Sequence, residues 1–230
     1  MTRLLPVLLL VFGVFAMIRF SAWQSGRTLR RRSRPLRNDQ VEALMGRLAR
    51  TAGIDSIEVR LLEMPAVNGL ATPAGEIYIT TGLFKKFQAR QITGPELASV
   101  IAHELGHLAL GHTKRRIIDV TGAQFLHLVL GSVLNRFIPI IGWFVARWVS
   151  MFLMSRLSRK DEFEADAYAT ALMLKSGLGA QPQVRMLERL RDLVPQTTMQ
   201  EMSWLASHPP VDERTEAIRA NVARWEAKAE

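Results

Sequence analysis

The sequence predicts an α+β fold that is mainly α-helical, with a small β-sheet and apolar segments suited to a membrane. Residues 38–52 and 95–114 carry apolar side chains at helical spacing, the second stretch over most of its surface. Residues 72–75 form a turn sequence between two short strand-like stretches, which predicts a hairpin. Residues 4–20 and 117–155 are long apolar regions of the kind that membrane segments require.

The apolar N-terminus predicts a transmembrane anchor over residues 1–23. Leu4 to Phe20 is almost wholly apolar, and Trp23 follows at the position of an interfacial aromatic residue. A cleaved signal peptide is the alternative interpretation. Residues 24–37 contain six arginines, however, and positive charge directly after an apolar stretch opposes its export. We therefore favour an uncleaved anchor, with the remainder of the chain in the cytoplasm.

The positive charge of the chain is concentrated in its first 37 residues. The net charge is +9, and eight of the 30 basic residues but none of the 21 acidic residues lie there. Residues 38–230 therefore carry 22 basic and 21 acidic residues and are nearly neutral. Residues 24–37 are typical of a basic juxtamembrane segment that faces anionic lipid, since they lack aromatic residues for base stacking. We expect membrane lipid as a partner and no nucleic acid.

The small sheet is predicted from three stretches of the chain. Residues 56–62 alternate apolar and charged side chains, as in a strand with one buried face. Residues 68–71 and 76–80 flank the turn and form the predicted hairpin. An exposed edge of such a sheet can pair with an extended peptide, and can hold its backbone without selecting a sequence.

The motif His-Glu-Leu-Gly-His, which begins at His103, carries the strongest chemical signal. His103 and His107 are four residues apart, so both imidazoles lie on one side of a helix and can bind one metal ion, with Glu104 beside it. Thr93 and Glu96 have the spacing of a capping box, which predicts a helix start just upstream. The alternative is two core histidines with a solvated glutamate, but burying these groups without a partner is costly. The pattern predicts a zinc site with Glu104 as the general base.

A second pair of residues at helical spacing offers the third ligand. The chain has no cysteine, so zinc must be held by histidine and carboxylate groups. Glu162 can complete a His-His-Glu set, and Asp166, four residues later, can orient an imidazole through its free N–H. Alone, such a pair is more often a solvated helix face. His112 is one position short of the third histidine of another zinc-binding pattern, and we expect it to be a structural or surface residue.

The region between the two motifs, residues 117–155, has two interpretations. It can form two membrane spans, Ile117 to Leu134 and Phe137 to Met154, joined by a short polar turn. It can equally form two amphipathic helices that lie on the membrane or cover the site. If it does span the membrane, the number of spans must be even, because both parts of the metal site must share one side.

These motifs together resemble peptidase family M48, the gluzincin peptidases, and within it the HtpX-like and Ste24-like membrane proteases. The resemblance covers most of residues 38 to 225. It rests on Asn68-Gly-Leu-Ala, Ile77-Tyr-Ile-Thr-Thr-Gly-Leu, Val100-Ile-Ala-His-Glu-Leu-Gly-His, Ser158-Arg159 with Glu162 to Asp166, and Ser207-His208-Pro209-Pro210 followed by Arg214. The chain differs from these relatives in two respects: they usually have Ala-Phe in place of Gly69-Leu70, and typical HtpX proteins begin with two membrane spans where one candidate is visible here.

The resemblance implies a gluzincin-type metallopeptidase domain over residues 38–230, with the apolar hairpin 117–155 inserted between its two zinc motifs. It implies a zinc endopeptidase that binds one zinc ion (Zn2+) per chain. The zinc ligands would be His103, His107 and Glu162. Glu104 would be the general base, and Asp166 would lie directly behind the ligands.

The resemblance also implies how substrate is bound and where the protein acts. His208 and Arg214 match positions that lie near the site in relatives and help to bind substrate or stabilise the oxyanion, although His208, from the residues alone, is more often a cap or core residue. Asn68, Gly69, Leu70 and Ala71 match the strand that grips the substrate. Protein or peptide substrates, with misfolded membrane proteins among them, and a bacterial inner membrane with a cytoplasmic catalytic domain are the implied setting. A catalytically inactive membrane scaffold or chaperone of the same fold is the alternative.

Overall fold

The computed structural model describes most of the 230-residue chain. The described residues are 20, 23–24, 26–116, 127, 130–131, 134–136, 141–193 and 210–228. Most of the anchor predicted over residues 1–23 lies outside them, as do His208 and much of the region 117–155.

A four-stranded sheet precedes the helix that carries His103 and His107 within the described residues. Its strands are β1 (Ser33–Pro35), β2 (Val59–Leu62), β3 (Gly69–Ala71) and β4 (Ile77–Thr80), in the spatial order β1-β2-β4-β3. β2 and β4 are parallel, and the other two pairs are antiparallel. The hairpin predicted around residues 72–75 is therefore confirmed as β3 and β4, and β3 lies at one edge of this sheet.

The strand predicted over residues 56–62 is shorter than expected, and the prediction of a single buried face is wrong. β2 begins at Val59, and all four of its residues are buried, Arg60 included. Arg60 can be buried because β1 and a nearby carboxylate supply its partners. Its Nε donates to the Ser33 hydroxyl at 3.0 Å, and one terminal nitrogen lies 3.3 Å from a Glu58 oxygen.

Helices make up most of the described structure, as the sequence predicts. They are α1 (Asp39–Ala52), α2 (Thr81–Gln88), α3 (Gly94–Ala109), α4 (Ile141–Lys175), α5 (Gln181–Leu193) and α6 (Val211–Glu226). α3 is the central element, because it packs against α1, α4, α5 and β3. Its buried apolar side chains join those of α1, α4 and the sheet in the main hydrophobic core.

Local sequence signals set the ends of α1 and α3. Asn38 caps α1 by accepting a hydrogen bond from the Val41 amide, and Gly53 ends it with a left-handed φ of 71°. The capping box predicted from Thr93 and Glu96 is present at the start of α3. α3 ends at Ala109 rather than near residue 114, because the chain takes a left-handed φ of 72° at Gly111 and then resumes a helical turn over residues 112–116.

The second zinc motif lies on α4, a continuous helix of 35 residues. Near the start of this helix, Phe144 and Trp148 are 61% and 70% exposed, one turn apart. Among the described residues, no helix combines the length and the apolar character needed to cross a membrane. The two interpretations of residues 117–155 therefore both stay predictions.

α3 and α4 approach each other closely at Gly106. A Cβ atom at this position would lie 3.0 Å from the carbonyl oxygen of Ala165 and 3.3 Å from the Cβ of Tyr168. Both atoms belong to the stretch of α4 that carries Glu162 and Asp166. The absence of a side chain at Gly106 therefore brings the two zinc motifs together.

We expect Gly106→Ala to lower the free energy of unfolding by about 1–3 kcal/mol, because the two helix backbones must move apart. Gly46→Ala, in the interior of α1, is the matched control. An added Cβ there meets only a flexible Arg50 side chain at 3.5 Å, so stability should be unchanged or raised by up to about 1 kcal/mol. Denaturant unfolding of the three proteins measures both effects, and equal stabilities would contradict this account of the helix contact.

Candidate metal centre

α3 and α4 bring the three predicted zinc ligands together. His103 and His107 project from successive turns of α3, and their Nε2 atoms lie 3.1 Å apart. Glu162 of α4 places Oε2 at 3.4 Å from His103 Nε2 and Oε1 at 3.5 Å from His107 Nε2. All three residues are largely enclosed, with Glu162 only 1% exposed. The sequence identified this group from two i, i+4 spacings on helices that are far apart in the chain.

The donor set and its spacing fit a zinc ion. Tetrahedral zinc with bonds of about 2.0–2.2 Å holds its ligand atoms about 3.3–3.6 Å apart, close to the separations observed here. Two imidazole nitrogens and one carboxylate form a typical set for catalytic zinc, whereas structural sites generally use four protein ligands. His103, His107 and Glu162 would hold the ion.

Asp166 contacts the ring of His103, and the sequence predicts that it orients such an imidazole. The Nδ1 atom of His103 lies 2.9 Å from Asp166 Oδ1. Because Nε2 faces the other ligands, Nδ1 carries the proton and donates it to this carboxylate. Arg214 of α6 donates to the same carboxylate, from Nε to Oδ2 at 2.7 Å and from a terminal nitrogen to Oδ1 at 2.8 Å. A bidentate guanidinium thus holds Asp166 in place.

The electrostatics of this network follow from burial and close charge. Burial raises the pKa of the Asp166 carboxyl, but the Arg214 guanidinium and the hydrogen bond with His103 outweigh it and hold that pKa well below its usual range. Burial lowers the pKa of His103, but its hydrogen bonds with Asp166 and Glu162 outweigh this and raise the pKa to about 10. Without a metal ion, His103 is therefore protonated at neutral pH.

Arg214, predicted to bind substrate or stabilise the oxyanion, is 3% exposed and pairs with Asp166. It also borders the pocket beside His103, and a terminal nitrogen lies 3.9 Å from Glu162 Oε2. This position favours a role in holding Asp166, while direct contact with substrate stays a prediction. His208, its predicted companion, lies outside the described residues.

Glu104 lies between the predicted ligands and the predicted substrate strand. A Cβ atom added at Gly69 of β3 would lie 3.4 Å from Glu104 Oε1 and 2.8 Å from a methyl group of Val100. Asn68 and Gly69 border the same pocket as Glu104. Leu70 and Ala71 continue along β3. The structure therefore places the candidate base against the sheet edge.

Two contacts of the site were not predicted from the sequence. His112, expected to be a structural or surface residue, is 2% exposed and places Nδ1 at 3.1 Å from His107 Nδ1. Gln183 of α5 donates to the backbone carbonyl of Asp166 at 3.2 Å. A glycine at position 111 is a sequence signal for the left-handed turn by which the chain turns back after α3. The periodicity of α5 gives no signal that Gln183 contacts Asp166.

A buried His-His-Glu group with a further carboxylate beside it, next to a sheet edge, defines a metallohydrolase type of site. Comparisons with known proteins agree. The family model described as Peptidase family M48 matches residues 35–222. The chain therefore belongs to peptidase family M48, a family of metalloproteases, and the resemblance seen in the sequence is confirmed.

The match with this chain covers a different share of each relative's length. Protease HtpX of Pseudomonas paraeruginosa is 30% identical over 212 residues, which cover 76% of this chain and 69% of that protein. Mitochondrial metalloendopeptidase OMA1 of Arabidopsis thaliana is 29% identical over 177 residues, covering 76% of this chain but only 34% of that protein. The chain thus spans about a third of one relative and over two thirds of the other.

A solved structure shares the fold. The crystal structure of S. mikatae Ste24p superimposes with a TM-score of 0.59 at 24% sequence identity, covering 92% of this chain and 56% of that one. The mainly helical fold with a small sheet, predicted from the sequence, agrees with this likeness.

Zinc uptake by the metal-free protein should release about one proton at pH 7, because zinc displaces the proton from His103, whose pKa is raised to about 10. Zinc affinity should accordingly fall as pH is lowered, by up to about tenfold per pH unit. Calorimetric titrations in buffers of different ionisation enthalpy measure the proton count. Zinc binding without proton release at pH 7 would contradict this description of His103.

Arg214→Gln should weaken zinc binding by about 10–100-fold, because the Asp166 carboxylate loses the group that holds it. It should also lower stability by about 3–5 kcal/mol, since a buried charge loses its partner. Arg219→Gln, on the same helix, is the control: its pair with Glu188 is exposed, so the change should cost at most about 1 kcal/mol. Lost peptidase activity with normal zinc affinity and stability would instead favour a direct role with substrate.

Proposed function

We propose that this protein is a membrane-bound zinc endopeptidase that hydrolyses peptide bonds with an activated water molecule. The observation that carries the proposal is the meeting of His103, His107 and Glu162, with Glu104 between them and the edge strand β3. Membership of peptidase family M48 supports peptide bonds as the target. The name of the OMA1 relative, a metalloendopeptidase, supports cleavage within chains.

The catalytic chemistry divides between the ion and Glu104. Zinc, when bound, supplies Lewis-acid polarisation of water and of the scissile carbonyl. The Glu104 carboxylate accepts the proton of the attacking water and delivers it to the leaving amine nitrogen. Glu104 is largely enclosed, so bulk water has little access to this proton transfer. Because water itself attacks, no side chain forms a covalent bond with the substrate.

Substrate binding is assigned to the edge strand β3. β4 covers one edge of β3, and the described residues place no further strand beside its other edge. An extended peptide that adds to this edge would run past Glu104, and main-chain hydrogen bonds would hold it with little regard to sequence. The missing side chain at Gly69 lets Val100 and Glu104 of α3 pack closely against β3, beside the edge to which that peptide would add. Unfolded or extended polypeptides are the substrates that this arrangement suits.

The membrane setting rests on sequence patterns and one relative. Residues 1–23 would anchor the chain, the basic residues 24–37 would face anionic lipid, and residues 38–230 would form the catalytic domain on the cytoplasmic side of a bacterial inner membrane. The similarity to a bacterial HtpX supports this setting. The exposed pair Phe144 and Trp148 lies within the second apolar region, near the start of α4. Misfolded membrane proteins, as substrates in quality control, are the expectation that goes with it.

Glu104→Gln should abolish cleavage of an unfolded substrate such as casein, lowering the rate by at least about 100-fold, because the amide cannot accept a proton. Zinc content should stay at one ion per chain, since Glu104 is not assigned as a ligand. The measurement compares detergent-purified wild type and variant, with and without chelator. Glu188→Gln, at an exposed position on α5, is the control and should cleave normally.

The possible outcomes separate the proposal from its alternative. Zinc in both proteins, with chelator-sensitive cleavage by wild type alone, supports both the peptidase and the base. Cleavage that survives Glu104→Gln would remove Glu104 from its role. Wild-type protein that binds no zinc and cleaves nothing would favour an inactive scaffold of the same fold.

A further inference from the structure

The second zinc ligand, His107, has a support of its own in the fold. After α3 ends, the left-handed turn at Gly111 directs the next helical turn back beneath His107. His112, at the start of that turn, is 2% exposed and meets the His107 ring edge-on, with ring centroids 5.2 Å apart. Its Nε2 lies 3.0 Å from Oε2 of Glu164, on the neighbouring helix α4. His112 therefore bridges the zinc ligand and a carboxylate.

The proton positions in this bridge follow from zinc ligation. His107 offers Nε2 to the ion, so the proton of its neutral ring lies on Nδ1. That atom faces His112 Nδ1 at 3.1 Å, and the contact is a hydrogen bond only if His112 Nδ1 carries a lone pair. The proton of His112 must then lie on Nε2, where it points at Glu164, a group that only accepts when ionised. The hydrogen bond from His107 and the hydrogen bond to Glu164 therefore require the same tautomer of His112, with its proton on Nε2.

Two cations hold Glu164 in place at the end of the bridge. Lys160 Nζ lies 3.5 Å from Glu164 Oε1, and an Arg115 nitrogen lies 3.9 Å from Oε2. With these cations beside it, the Glu164 carboxylate is placed to accept a hydrogen bond from His112 Nε2.

We propose that His112 is a positioning residue of the zinc site: it accepts a hydrogen bond from Nδ1 of His107 and is itself oriented by donating from Nε2 to Glu164. The inference rests on the zinc site proposed above. It gives each zinc histidine a carboxylate support: Asp166 holds His103 directly, and Glu164 holds His107 through one intervening imidazole. Such supports fix the tautomer and the ring direction of a ligand before the metal arrives.

The same residues do not form a second metal site while His107 binds zinc. A cation held by His112 Nε2 with Asp161 and Glu164 would move the His112 proton to Nδ1, against His107 Nδ1. The proton of His107 would then lie on Nε2, the atom that faces His103 and Glu162. Neutral His107 and His112 therefore cannot bind a cation in both groups at once, one with His103 and Glu162 and the other with Asp161 and Glu164. A terminal nitrogen of Arg115 also pairs with Oδ1 of Asp161 at 2.9 Å.

The test measures metal binding rather than activity. Full-length metal-free protein is titrated with zinc against a chromophoric chelator, and with Co2+ to record its absorption spectrum. His112→Phe should weaken zinc binding by about 10–100-fold and change the Co2+ spectrum, because His107 loses its acceptor. His112→Asn should stay within about threefold of wild type, because its amide oxygen can accept the same proton. Equal zinc affinities of His112→Phe and wild type overturn the proposal.

Further variants control for folding and charge. Arg116→Gln removes an exposed contact between the same helical turn and Ser158 of α4, and should leave zinc affinity unchanged. If His112→Phe does not fold, the comparison of Glu164→Leu with Glu164→Gln decides: only the first lacks an acceptor for His112, and equal zinc affinities overturn the proposal. Two zinc ions in wild type but one in His112→Asn would also overturn it. If the wild-type protein binds no zinc, the proposed zinc site itself is wrong. If wild type binds zinc and the variants bind it with the same affinity, only the proposed role of His112 is wrong.

Discussion

The structure depends on the pairing of buried charge where α3 meets α4. Glu162 and Asp166 are almost fully enclosed on α4, and a carboxylate buried without a partner costs several kcal/mol. His103 and Arg214 neutralise Asp166 from two other helices. A zinc ion would do the same for Glu162. The observed packing of these helices satisfies the Asp166 charge, and the folding of α6, which carries Arg214, is therefore linked to the order of the candidate metal site.

This linkage has a consequence for function. Arg214 holds Asp166, and Asp166 holds the ring of His103, so the ligand geometry is prepared by groups that need not touch a substrate. Glu104 lies on the side of α3 that faces β3. The protein thereby separates two tasks. Charge-paired residues lie behind the candidate metal ligands, while the Glu104 carboxylate borders the pocket next to β3.

The sequence predicted elements well wherever the signal was local. The caps of α1, the capping box of α3 and the turn between β3 and β4 depend on residues within a few positions of one another. The prediction for β2 failed in part because alternation in the sequence assumes that one strand face meets water. Here Arg60 lies on the supposed open face, and β1 covers it through Ser33, which is 27 residues away. Burial of that kind depends on a neighbour that periodicity cannot identify.

By itself, the sequence determined which side chains can meet at the candidate metal centre: two histidines and two carboxylates at i, i+4 spacing share helix faces, since 3.6 residues make one turn. The sequence also determined the family, because those motifs occur together in peptidase family M48. Only the tertiary structure decided which groups support the ligands. His112 meets Glu164 across 52 residues, and Arg214 meets Asp166 across 48. Such contacts arise when separate helices pack, and the approach of α3 to α4 at Gly106 is a property of the assembled core rather than of any short stretch of chain.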